Sequence, residues 1–134
     1  MEYLRGADKV IAWFGRWPSF HDAELLELHL HGVGLSSMKI RAFNMTNRVD
    51  AQGCFVSEKH AIVTFVFEGL KELKLDENEL SVPNTILDFT LEHRNEKFLL
   101  TFDTCDGFTV AFEASTVAVN LLPSPEIGHN AVRS

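Results

Sequence analysis

Cysteine is scarce in this chain of 134 residues: two are present, Cys54 and Cys105. Their separation fits neither a zinc-ligand nor a redox-pair spacing, so a metal- or disulfide-stapled scaffold is not indicated. Tyrosine is scarcer still, a single residue beside two tryptophans and eleven phenylalanines. Phenylalanine has no polar handle, so most of these rings belong to a core. No run approaches the roughly 18 apolar residues of a membrane-spanning helix. Met1 to Gly15 scatters acids and bases where a secretory signal would have an apolar stretch. A cytoplasmic protein with reduced thiols is therefore expected. Neither phosphate-cradling glycine motif, G-x-x-x-x-G-K-[ST] or G-x-G-x-x-G, occurs. There is no G-x-S-x-G nucleophile elbow, no internal repeat and no linker.

An apolar share of 46% supports one packed domain over residues 1–134. The net charge of −7 is one-sided along the chain. Acids and bases cancel over residues 1–67, and the whole surplus lies in residues 68–134. Such a surface disfavours nucleic acid and anionic membranes and attracts basic partners.

The N-terminal segment has helical period. Leu4, Ala7, Val10, Ile11 and Phe14 share one face, which predicts a helix over residues 2–14 ended by Gly15 and Pro18. From Glu24 the period becomes two, and alternation predicts antiparallel strands within residues 25–119. The runs are 25–30, 38–43, 60–68, 71–76, 86–93, 97–103 and 108–119, with residues 46–59 read as a polar loop. Tight connections at Asn95-Glu96 and Asp106-Gly107 suggest hairpins. The expected fold is α+β, predominantly β: one amphipathic helix packed on a six- to seven-stranded antiparallel meander. A β-sandwich or half-open barrel with a helix plug is the alternative. Residues 123–134 are expected to form a mobile tail.

Between helix and strands lies Trp17-Pro18-Ser19-Phe20-His21-Asp22-Ala23-Glu24, where two aromatics and a proline meet a histidine and two carboxylates. His21 titrates near neutral pH, and a neighbouring carboxylate would fix its tautomer, the raw material of acid–base chemistry. Adjacent residues on an extended chain point apart, however. A corner in which Asp22 accepts backbone N–H bonds and His21 donates to a carbonyl is the plainer reading. His29 and His31 lie two apart on one strand face but lack an identifiable third metal ligand. Asp103, Asp106 and Glu113 surround a hairpin without implying a cleft. Glu68, Glu72, Asp76, Glu77 and Glu79 form an acidic segment that could meet a basic protein surface or simply guard a sheet edge. No catalytic residue, cofactor or metal is assigned.

The block Trp17–Glu24 resembles the signature of the Imm50-type immunity proteins of bacterial polymorphic toxin systems. Val63–Leu70, Glu72–Leu75, Asn84 before Ile86–Phe89, and Asp106–Phe108 through Phe112–Ala114 resemble further parts of that family in the same order. The resemblance runs from about Phe14 to Pro123, and Asp76–Pro83 departs from it. It implies a non-enzymatic binding protein that neutralises a cognate toxin domain by occlusion; a free edge on the meander would permit a homodimer, so monomer and homodimer both stay open. Trp17, Pro18, Phe20, His21, Asp22 and Glu24 would be its structural or binding corner. The acidic segment would meet the partner, a basic nuclease being the target that charge suggests. A small enzyme or metal-binding protein built on His21, Asp22 and Glu24, and a general interaction module, are the alternatives.

Overall fold

In a computed structural model of the chain, residues 4–75 and 82–124 are described, apart from the side chains of Met45, Asn47, Phe55 and Val56. One helix, α1 (Ala7–Phe14), precedes eight strands. These are β1 (Glu24–His29), β2 (Leu35–Val49), β3 (Phe55–Glu68), β4 (Lys71–Leu75), β5 (Asn84–Arg94), β6 (Lys97–Thr104), β7 (Thr109–Ala114) and β8 (Thr116–Pro123). The class is α+β with antiparallel sheet predominating, as the alternation of side chains implied.

The strand count and arrangement differ from the expected meander. All eight strands join one sheet in the order β4-β7-β6-β5-β1-β2-β3-β8. It consists of two meanders, β1-β2-β3 and β5-β6-β7, each with a non-sequential strand beside it. The meanders are joined by a short pairing, Glu24 with Thr85 and Leu25 with Asn84. The eighth strand arises because residues 108–119 form two strands that break at Ser115.

That break is half of a bent ribbon. β3 pairs with β8 up to Glu68↔Thr116, and β4 resumes against β7 at Lys71↔Glu113. Both chains turn at one point: Ser115 donates from its backbone N and from Oγ to the Glu68 carbonyl, each at 2.9 Å. Gly69, at φ +73°, completes the bend, and a Cβ there would fall 2.0 Å from Ser115 Oγ. The sheet consequently folds over itself. Rings of Phe67 on β3 and Phe112 on β7 meet edge-on at 5.0 Å, although four strands separate β3 from β7 in the sheet. Phe65, Phe67, Phe102, Leu25, Met38, Ile40 and Leu100 fill the interior.

α1 docks chiefly on β8. Ala7, Val10 and Phe14 are buried with Leu4, while Ile11 at the stripe's margin is 36% exposed. Helical geometry begins at Ala7 rather than at residue 2; residues 1–3 lie outside the described residues. Immediately before the helix, Arg5 forms a parallel bridge to Ala118, and Val119 N donates to the Arg5 carbonyl at 2.8 Å. Gly6 sits so close to β8 that a Cβ would be 2.0 Å from the Val119 carbonyl oxygen.

The expected loop over residues 46–59 is mostly strand. β2 and β3 continue outward as a two-stranded ribbon, Asn44↔Glu58, Met45↔Ser57 and Val49↔Phe55. The turn is confined to residues around Asp50–Cys54, where Asp50 Oδ1 accepts from the backbone N of Gln52 at 2.9 Å and of Cys54 at 3.0 Å. Pro123, expected in the tail, is the last residue of β8 and pairs with Ala61. Residues 125–134 lie outside the described residues. No described helix is long and apolar enough to cross a membrane.

Candidate functional site

The Trp17–Glu24 block makes the corner between α1 and β1, and its apolar members hold it in place. Phe20 is buried, with its ring edge-on to Trp17 at 5.7 Å, Phe65 at 5.8 Å and Phe89 at 5.0 Å. Its backbone is left-handed at φ 61°, and so is that of Asp22 at φ 69°. Non-glycine residues adopt this region at a cost, and keep it only where the surroundings over-determine it. Here the surroundings are the turn Ala23 N→Phe20 O at 3.1 Å and a reciprocal pair with β5: Asp22 N→Ile86 O and Ile86 N→Ala23 O, both 2.8 Å. Packing of Phe20 and Ala23 inward thus forces His21 and Asp22 outward.

His21 is tied to the same strand. Its Nδ1 lies 2.6 Å from the Leu87 carbonyl oxygen. A carbonyl can only accept, so Nδ1 carries the hydrogen. Nε2 faces Asp22 Oδ1 at 3.6 Å, both side chains being more than half exposed. The Leu87 carbonyl chiefly, with the Asp22 carboxylate next and Asp88 a smaller contributor, raises the imidazole above its ordinary 6.5 against slight desolvation. Glu24 belongs to a different arrangement: it enters β1 and binds Arg41 Nη1 at 2.7 Å. The fold therefore brings His21 and Asp22 together and directs Glu24 to a strand pair.

Beside the corner is a groove of about 480 Å³. Pro18–Ala23 form one wall with Phe14 and Arg16; Ala42, Phe43, Asn44 and Thr46 of β2, with Glu58 of β3, form the other. Asn44 Nδ2 donates to the Phe14 carbonyl at 3.0 Å and pins the helix exit to β2. Glu58 is bound to Arg48 at 2.6 Å. Sequence reasoning missed the Thr46 and Glu58 part of this wall because it treated residues 46–59 as loop. The Arg48 and Glu58 pair, on facing strands of a hairpin, was the available signal.

The described part of the acidic segment is elsewhere. Glu68 and Glu72 are exposed at the bend and on the edge strand β4, and neither lines the groove; Asp76, Glu77 and Glu79 lie outside the described residues. Other candidates occupy local roles. His29 Nε2 is 3.4 Å from Glu27 Oε1, and His31 N donates to Ser36 Oγ at 2.8 Å. Asp106 accepts from Thr104 Oγ1 at 2.7 Å and Asn84 Nδ2 at 2.9 Å, which holds its carboxyl below the usual range, and Asp103 accepts from Asp88 N. Among the described residues, no group of three or more His, Cys, Asp or Glu side chains is arranged to hold a metal ion.

No protein-family model matches the chain, and no curated protein matches it. Among solved structures, the crystal structure of an uncharacterized protein from Neisseria gonorrhoeae is similar at a TM-score of 0.48 and 16% identity, covering 75% of this chain and 92% of that one.

Proposed function

We propose that this chain is a bacterial immunity protein of the Imm50 type, which binds a cognate toxin domain in the cytoplasm and neutralises it by occlusion. The observation that carries the reading is the Trp17–Glu24 corner. The residues that bear the resemblance are fixed by buried aromatics and two left-handed backbones, and they present His21 and Asp22 at the rim of an open groove. A rigid polar patch on a packed scaffold suits stoichiometric binding, because little ordering remains to be done on association. The engagement of Glu24 by Arg41 speaks against the alternative of a three-residue catalytic or metal corner.

The partner is a toxin with a basic contact surface, a nuclease being the class that the acidic balance of residues 68–134 suits. The decisive experiment is capture of partners by the tagged protein from its own organism, followed by mass spectrometry. A stoichiometric toxin domain supports the reading; a complex whose partner is acidic at the contact removes the electrostatic part. With the partner in hand, Glu68→Lys combined with Glu72→Lys should slow association about tenfold at low salt and less at high salt. An on-rate indifferent to both changes takes these residues out of the interface.

A further inference from the structure

β2 is a 15-residue strand, but its neighbour β1 accompanies it only part of the way. The β1 pairing spans Ser37 to Arg41, where Glu24 sits opposite Arg41. Beyond that point, β3 continues to pair with β2 as far as Val49↔Phe55. On its other side, β2 has no partner strand among the described residues past Arg41. The chain that would have supplied one turns away at Phe20 and Asp22, the two left-handed residues of the corner. The groove borders this stretch, since Ala42, Phe43, Asn44 and Thr46 of β2 line it together with Glu58 of β3 and the corner residues Pro18–Ala23. Residues 42–46 span roughly 13 Å of strand, room for an extended segment of about four residues.

The charges of the groove differ in how far they are satisfied. Asp22 faces His21, and Glu58 is bound to Arg48. Arg16, also in the wall, makes no ion pair or hydrogen bond with any described residue. A guanidinium lining a groove beside a strand edge that no described strand pairs selects a planar anion, a carboxylate above all.

We infer that the groove is a strand-addition site: an extended segment of a protein partner, carrying a carboxylate side chain, pairs through its backbone with β2 beyond Arg41 and places that carboxylate on Arg16. Main-chain pairing would supply affinity and the Arg16 contact would supply specificity. The inference rests on the binding-protein reading only for the source of the segment. The groove itself can be tested without knowing the toxin.

The probe is the blocked peptide Ac-VTDTV-NH2, titrated to millimolar concentration into the isotope-labelled full chain while backbone amides are followed by NMR. Saturable shifts are expected at Phe43–Thr46 and at Arg16. Replacing the peptide's Asp by Lys, or using the Arg16→Glu chain with the original peptide, should weaken binding roughly fivefold to tenfold. Methylating alternate peptide nitrogens on the pairing edge should abolish it, since the ladder loses its donors. Absence of saturable shifts at these amides with the Asp peptide overturns the strand-addition site. Equal binding of the Asp and Lys peptides overturns the carboxylate assignment, and shifts confined to β4 move the docking edge to the other end of the sheet. None of these failures alters the outcome of toxin capture, so the two readings fall separately.

Discussion

Phe20 and His21 are neighbours with opposite duties, one buried in the aromatic cluster and one on the surface holding the Leu87 carbonyl. Phe20→Ala removes a buried ring, and should cost about 3–5 kcal/mol of unfolding free energy, read from the urea unfolding curve. Far smaller destabilisation would mean that the cluster closes over the gap. His21 should titrate above 6.5 in the folded chain, and NMR of its ring protons checks this. Because the folded value is raised, the stabilisation it brings is complete below pH 6.5 and fades as pH rises through the folded value. Asp22→Asn should move the titration part of the way back, the Leu87 carbonyl retaining the rest. The mixed character of the corner was legible at this scale, since a ring-rich block with a histidine and carboxylates stands out in any reading. Its left-handed backbones were not legible, because they occur at Phe20 and Asp22 rather than at glycine.

At the scale of elements, period did most of the work. The helix stripe and the alternating runs mark the elements they form, with Gly15 N donating to Ile11 O at 2.7 Å as the helix ends. Where the sequence misled, a physical cause is visible. The outer β2–β3 ribbon has one neighbour per strand and water around it, so polar residues such as Thr46, Arg48 and Glu58 suit it, and composition alone reads them as loop. The split at Ser115 left a subtler trace: the buried positions are Phe108, Val110, Phe112 and Ala114, then Val117 and Val119, so the parity changes across the break. The groove left only the Arg48 and Glu58 charge pair as a trace, because its walls come from segments far apart in the chain. Docking of α1 on β8 depends on Gly6, and Gly6→Ala should cost roughly 2–4 kcal/mol through a left-handed backbone and a clash with the Val119 carbonyl. A melting curve unchanged by this substitution would show that the approach of the two backbones can relax freely.

For the whole molecule, the bent ribbon ties the ends of the sheet together, and β8 is its last piece. It pairs with β3 from Ala61 to Glu68 and also receives Arg5 and the helix. A chain ending at Ala114 should therefore show no cooperative thermal transition by circular dichroism; a sharp one would mean that β5-β6-β7 and β1-β2-β3 suffice. The same feature sets an order in time. On the ribosome, α1 and β3 emerge long before the strand that covers them, at synthesis rates of roughly 5–20 residues per second. For several seconds the nascent chain carries an apolar helix face and an unpaired edge on its most apolar strand. Emergence of β8 from the exit tunnel, rather than completion of either meander, then becomes the event that permits folding.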